Sequence, residues 1–265
     1  MSFDKGAWVM KTYRVLVTGS AGAIGRAVCK ELKARGHFVR GLDVRETPGV
    51  DESLLGTVAD YAVVAKATET METVIHLAAT VDDADFMAEL LPNNVVAVFN
   101  VMDCARKAGL RRVVLASSMQ TVSGLWWGRA REGILRLEEG SGCRNHYAVT
   151  KVFAETMGDM YVRQHKMSVV AVRIGWLPRN NDTVRHMASH GGGSYLSHGD
   201  AGRFFACAVE KEAVGYAVVF LVSKQKPGRG VDMEPAQRLL GFEAQDVFPE
   251  GLPFEVDLEG VVAKV

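Results

Sequence analysis

An apolar run, RVLVT at Arg14–Thr18, leads directly into the glycine-rich turn TGSAGAIG at Thr18–Gly25, and a helical pattern follows from Ile24 to Arg35, ended by Gly36. Strand, glycine turn and helix in this order commit the stretch to one local geometry. Gly19 lets the chain turn sharply, Gly22 lets backbone approach a ligand, and Gly25 lets helix and strand pack closely. The helix start then offers unpaired N–H groups and a positive dipole end, which suit the pyrophosphate of a dinucleotide. The spacing is GxxGxxG and only partly matches the generic GxGxxG, so a turn that serves packing alone is the competing reading.

The rest of the chain repeats the alternation. Strand patterns fall at Phe38–Leu42, weakly at Thr57–Ala59, and at Thr73–Leu77, Arg112–Ala116, Ser168–Val172 and Tyr216–Val222. Helical patterns fall at Asn94–Lys107, stopping at Gly109, and at Tyr147–Gln164. Strands alternating with helices predict parallel pairing and an α/β, doubly wound, mostly parallel sheet. With 265 residues and 48% hydrophobic composition, residues 11–265 can form one such domain. After Gly175 the pattern loosens. WLPRNND, HGGGSYL and KQKPGRG read as loops of a small C-terminal substrate lobe, mainly 176–198 and 224–260, laid on the carboxyl edge of the sheet where ligands bind in such folds.

A second motif, YAVTK at Tyr147–Lys151, sets a phenol and an ammonium one helical turn apart on one face. An ordinary tyrosine, with pKa near ~10, is a poor base at neutral pH. A nearby ammonium and the positive nicotinamide ring of a bound dinucleotide both favour the phenolate and make Tyr147 a general base for a substrate hydroxyl. Ser118, at the end of the fifth strand pattern, can hold the same oxygen. Alone, the Tyr–Lys pair reads rather as an amphipathic tyrosine beside a solvated lysine; the upstream glycines and the serine pair reverse that. Asp43 closes the second strand pattern, 18 residues after Gly25. A carboxylate there accepts from ribose hydroxyls and repels a 2′-phosphate, which selects NAD over NADP; a solvated turn acid is the alternative. Arg45, close by, could receive that phosphate. Asp60 can reach an adenine amino group or cap the following helix.

Other function classes recede. Thirty-one basic and 31 acidic residues balance, so nothing points to nucleic acid or an anionic membrane surface. No apolar run approaches the roughly 20 residues of a membrane span. MSFDKGAWVMKTY carries an acid and no leader signature. Cys29, Cys104, Cys143 and Cys207 are scattered without CxxC, so a cytoplasmic location is expected. His186, His190 and His198 lack metal-site spacing, and no metal is expected. Gly191–Gly193 reads as a loop able to hinge a lid.

VTGSAGAIG, HLAA at His76–Ala79, NVVAVFN at Asn94–Asn100, ASS at Ala116–Ser118, YAVTK and VRIG at Val172–Gly175 together resemble the extended short-chain dehydrogenase/reductase superfamily, NAD-dependent epimerase/dehydratase type. The resemblance runs from about Tyr13 to Glu210. It implies a Rossmann-type fold and a Ser118–Tyr147–Lys151 catalytic triad, with Lys151 also on the nicotinamide ribose. It implies a cofactor groove lined by Gly19, Gly22, Ala23, Ile24, Gly25, Asp43, Asp60, Leu77, Ala78, Ala79, Asn94 and Ser117. It also implies a homodimer through the Asn94–Lys107 and Tyr147–Gln164 helices.

Within that group the short C-terminal part, ASSMQTV, VRIGWLPRNNDTVR and YLSHGDAGRFFACAVE are similar to the compact uronate dehydrogenases. By that similarity Arg185 matches the arginine that holds the substrate carboxylate, an anion that a guanidinium fork suits; a solvated loop arginine is the alternative. Met119 and Gln120 stand where Asn-His is expected, and Trp176 where a small polar residue is expected, so these three shape a different pocket. Trp126 and Trp127 can roof it, or simply pack the lobe. Met119-Gln120 also lacks the Asp-Glu pair of sugar dehydratases. The expectation is an NAD-dependent oxidoreductase acting on a hydroxyl of a sugar, sugar acid or related molecule. A compact nucleotide-sugar epimerase and a non-catalytic dinucleotide-sensing protein are the rivals.

Overall fold

The computed structural model describes residues 11–128, 133–189, 193–212 and 214–259. The side chains of residues 126–128, including Trp126 and Trp127, and residues 190–192 of the glycine loop lie outside that description. The strands are β1 (Arg14–Thr18), β2 (Phe38–Asp43), β3 (Glu52–Leu55), β4 (Thr73–His76), β5 (Arg112–Ser118), β6 (Gly133–Leu135), β7 (Ser168–Ile174), β8 (Tyr216–Leu221) and β9 (Arg229–Val231). The helices are α1 (Ala23–Ala34), α2 (Tyr61–Thr68), α3 (Ala97–Lys107), α4 (Ser123–Gly128), α5 (His146–His165), α6 (Asn181–Ser189), α7 (His198–Glu210) and α8 (Glu234–Leu240). Seven strands make one parallel sheet in the order β3-β2-β1-β4-β5-β7-β8, while β6 and β9 pair apart from it.

Strands of a parallel sheet are buried on both faces, so they read as unbroken apolar runs. In β1, Val15 and Val17 meet the layer that holds α1, α7 and α8, and Leu16 between them meets the layer of α2, α3 and α5. This alternation across a strand explains why RVLVT has no polar phase. α7 lies against α1, and a Cβ at Gly202 would come within 2.9 Å of the Ala27 carbonyl. Arg112, fully buried at the start of β5, donates Nη1 to the carbonyls of Ala208 and Lys211, both at 2.5 Å. The negative end of α7 thus receives a cation in place of a carboxylate.

Four sequence expectations differ from the structure. The third strand is Glu52–Leu55, and Thr57–Asp60 is a turn closed by Asp60 N–H to the Thr57 carbonyl. β3 is an edge strand with Leu55 60% exposed, so burial supplies little pattern, and pairing with β2 decides its register. Leu77 lies just beyond β4. The helix expected from Asn94 begins earlier, as a π-helix over Phe86–Val96 that runs into α3. Its wide turns carry Pro92 inside the helix, and the Leu90 N–H reaches the Asp85 carbonyl five residues back. α7 forms where the sequence pattern assigned no element.

Candidate active site

The sheet order places β1, β4 and β5 side by side, with their carboxyl ends in register: Thr18 opposite His76, and Ser118 opposite Ile174 of β7. The glycine turn and the Ser118 end of the sheet therefore face one cleft.

At the cofactor end, Gly19 has φ +69°, and a Cβ there would lie 2.7 Å from the Ala78 nitrogen. Turn and β4 loop touch at that point. A Cβ at Gly25 would lie 2.1 Å from the Gly19 carbonyl, so helix and turn also touch. Gly22 differs: its Cβ would meet only the Gly19 carbonyl, at 3.1 Å. The fold demands the first and third glycines far more than the second, which leaves Gly22 for an approaching ligand. α1 begins with no side-chain cap and no acid in its first turn, so no side chain competes for the N–H groups that a helix start leaves available. Asp43 accepts from the Ala21 N–H at 3.0 Å and from the Arg45 N–H at 3.1 Å, which fixes its carboxylate beside the turn. Asp60 caps α2 through the N–H groups of Ala62 and Val63. The set fits a dinucleotide: bare helix N–H groups for the pyrophosphate and an anchored carboxylate for the ribose.

Leu77, Ala78 and Ala79 form the wall after β4. Asn94 is buried; its amide accepts from the Thr80 N–H and donates to the Thr80 carbonyl and the Thr150 hydroxyl. It ties that wall to α5. His76 Nδ1 pairs with the Thr18 hydroxyl at 2.8 Å. Burial, and then the Lys151 charge, push its pKa down to about 3, so it stays neutral.

At the reacting end, α5 presents Tyr147, Lys151 and Glu155 inward at successive i, i+4 positions. Tyr147 is 7% exposed and Lys151 6% exposed, with Lys151 Nζ 5.4 Å from the Tyr147 ring centroid. Among the described residues, Nζ of Lys151 has no hydrogen-bond partner, and burial alone lowers its pKa to about 8. A desolvated ammonium with free donors is what a ribose diol would satisfy. Burial pushes Tyr147 up to about 12, against the lowering hydrogen bond of Ser118. The expected lowering rests on two positive charges, Lys151 and a bound nicotinamide ring, of which the chain alone holds the first. In the chain alone desolvation dominates, and the ammonium is not among the groups acting on it.

Ser118 Oγ also accepts from the Gln120 N–H at 3.1 Å. Ser117 faces the other way, as alternation along β5 requires, and its hydroxyl bonds Glu155 at 2.5 Å. Gln120 receives the Asn145 amide at 2.6 Å and reaches Asp82 at 3.4 Å, bridging the loop after β4 and the start of α5. Met119 packs against the small apolar cluster of Val122, Phe220 and Val222. Trp176 is 40% exposed, its ring edge-on to His186 at 5.3 Å. Arg185 pairs with both Asp182 and Asp257 at 2.8 Å on the surface of α6, so its guanidinium is already held by carboxylates. Asp82, Arg179, Glu155 and Arg173 escaped sequence reading. Glu155 carried a signal, since it lies four residues beyond Lys151 on the buried helix face; the loop residues Asp82 and Arg179 carried none.

The model of the NAD dependent epimerase/dehydratase family matches residues 15–190 of the 265. The chain belongs to that family. An L-arabinose 1-dehydrogenase (NAD(P)(+)) of Haloferax volcanii is 27% identical over 88% of this chain and 96% of its own. A uronate dehydrogenase of Pseudomonas syringae pv. tomato is 29% identical over 80% of this chain and 75% of its own. A solved structure titled as a mutated uronate dehydrogenase superposes with a TM-score of 0.77, at 26% identity, covering 89% of this chain and 82% of that one. For a member of the epimerase/dehydratase family, NAD is the cofactor that the glycine turn, Asp43 and Lys151 would hold. Among the described residues no helix is long and apolar enough to cross a membrane.

Proposed function

We propose that this epimerase/dehydratase-family protein is an NAD-dependent dehydrogenase that oxidises a hydroxyl of a sugar or sugar acid. The observation that carries the reading is the buried, unpartnered Lys151 ammonium beside Tyr147, on the helix face that meets Ser118. Ser118 holds the substrate oxygen. Tyr147 takes the hydroxyl proton, and Lys151 secures the ribose and adds positive charge near the phenol. When bound, NAD accepts the hydride, chemistry that belongs to the cofactor. Tyr147, at about 12 in the chain alone, must be lowered in the complex, and an oxidised nicotinamide supplies the positive charge that does this. Arabinose and uronate dehydrogenases among the relatives support the substrate class.

The substrate lobe would be built from 176–198 and 224–260, and contacts such as Asn181 Nδ2 to the Glu255 carbonyl at 3.1 Å support that grouping. A homodimer would use the π-helix, α3 and α5. Val149 and Met160 on α5, and Val96 and Phe99 beside them, leave apolar surface exposed there. The four free cysteines suit the reducing cytoplasm.

The test is turnover of aldoses and hexuronates, read as net NADH formation. Tyr147→Phe should keep NAD binding and lose ~10²–10⁴-fold in turnover. Full activity of Tyr147→Phe on a true substrate would overturn the mechanism. An inverted product with no net NADH would replace dehydrogenation by epimerisation.

A further inference from the structure

The sheet order β4-β5-β7 sets two loops on either side of Ser118, which ends β5. Residues 77–85 leave β4, and residues 175–180 leave β7, whose last residue, Ile174, pairs with Ser118. The first loop carries three exposed acids, of which Asp83 accepts from the His146 N–H and Asp85 caps the π-helix, leaving Asp82 the least engaged; the second carries Arg179. Asp82, at φ +64°, meets the Gln120 amide at 3.4 Å and no other hydrogen-bond partner among the described residues. Arg179 is exposed, its backbone N–H accepted by the Thr183 hydroxyl at 2.9 Å, and its guanidinium has no partner among the described residues. Arg185, the arginine singled out by sequence similarity, is by contrast paired twice with carboxylates.

We propose that Arg179, and not Arg185, binds an anionic substituent on the sugar, a carboxylate or a phosphate; this rests on the dehydrogenase reading above. Drawing Arg185 onto a substrate would mean breaking its pairs with Asp182 and Asp257. Arg179 has nothing to break. Its fork matches either anion. The carboxylate of Asp82 across Ser118 repels an anion on its own side, so attraction and repulsion orient the substrate the same way. Both charges reach the reacting phenol: after burial and the Ser118 bond, the remaining influences on Tyr147 are Asp82, which raises its pKa, and Arg179, which lowers it. The exposed face of Trp176, three residues before Arg179, offers a surface on which a sugar ring can stack.

The experiment compares glucuronate, glucose 6-phosphate and glucose as substrates for the NAD-supplied protein and for its Arg179→Met, Arg179→Lys and Arg185→Met variants. One of the two anionic sugars should be preferred over glucose, and which one identifies the anion. Arg179→Met should raise KM for it tenfold or more with no matching rise for glucose, while any change in kcat, coming through Tyr147, should be shared by all three sugars. Arg179→Lys should recover part of the loss, and Arg185→Met should stay within threefold of the parent. A KM loss in Arg185→Met, or none in Arg179→Met, overturns the assignment. Preference for neutral glucose overturns the anion site and leaves the dehydrogenase standing. If nothing turns over, calorimetric titration of the two anionic sugars into the NAD-saturated protein decides. Binding lost in Arg179→Met keeps the anion site and removes the dehydrogenase reading, whereas absence of binding overturns the site.

Discussion

Glu155 and Arg173 form a bidentate ion pair, Nε to Oε1 and Nη2 to Oε2, both at 2.9 Å, in the seam between α5 and β7. The Ser117 hydroxyl donates to the same Oε1, so one carboxylate joins the helix that carries Tyr147 and Lys151 to both strands that end at the pocket. Both side chains are almost fully buried, and the remaining guanidinium nitrogen, Nη1, donates to the Gly140 carbonyl.

Breaking such a pair leaves one charge buried alone, which typically costs ~3–5 kcal/mol. Glu155→Gln or Arg173→Met should therefore lower Tm by on the order of 10 °C in a chain of this size. The joint change Glu155→Leu, Arg173→Met should recover much of that loss. Thermal unfolding of the three variants checks this, and single variants as stable as the parent would show that the pair contributes nothing.

Lys151 is a stability liability. Its pKa falls from 10.5 to about 8 because the charged form is desolvated. Below about pH 8 both folded and unfolded chains carry the charge, and folding bears the full penalty, at most roughly 3 kcal/mol for that shift. Between about 8 and 10.5 the unfolded chain binds the extra proton, so stability rises with pH. Lys151→Met should be more stable than the parent at pH 7 and the gap should shrink toward pH 10.5, while turnover is lost. Equal Tm values at pH 7 would contradict it.

His76 has the same sign in an acid window. Its folded pKa is about 3 against an ordinary 6.5, from burial first and Lys151 second. As pH falls below 6.5 the unfolded chain takes up a proton that the folded chain refuses. By pH 5 this removes roughly 2 kcal/mol of stability. His76→Asn, still able to bond Thr18, should flatten the Tm profile between pH 7 and 5.

The three glycines of the turn should separate in experiment. Gly25→Ala would place a methyl 2.1 Å from the Gly19 carbonyl, and Gly19→Ala would place one 2.7 Å from the Ala78 nitrogen at a positive φ. Both should fail to fold or lose many degrees of Tm. Gly22→Ala should fold and lose tenfold or more in NAD affinity, measured by titration. Unchanged affinity would mean that the pyrophosphate does not pass over Gly22.

Features with a short-range signature were legible in the sequence. β1, α1 and the glycine turn are set by neighbours within a few residues, and Tyr147 and Lys151 by one helical turn. What failed needed partners distant in sequence. β3 takes its register from β2 while half exposed, and its neighbour Thr57–Ala59 is as strand-like in composition. The π-helix exists because wide turns carry Pro92 among partners that hold Asn94, and Pro92 by itself reads as a stop. Ser117 and Ser118 look equivalent in ASS, yet strand alternation sends one to the ion pair and the other to the pocket. Of the two carboxylates that hold Arg185, Asp182 lies within one helical turn and could have been read from the sequence, whereas Asp257 is 72 residues away and could not.

The strand order has a consequence for how such an enzyme can change what it acts on. β4 is shared structure: His76 bonds the cofactor-side Thr18 and feels the reaction-side Lys151, so a change in that strand disturbs both halves at once. The segments after β5 and β7, with Met119, Gln120, Trp176 and Arg179, supply none of the glycine cradle. Substrate preference can therefore drift in those two loops while the dinucleotide stays gripped, and members with the same frame can diverge in the molecules they oxidise without passing through an inactive intermediate.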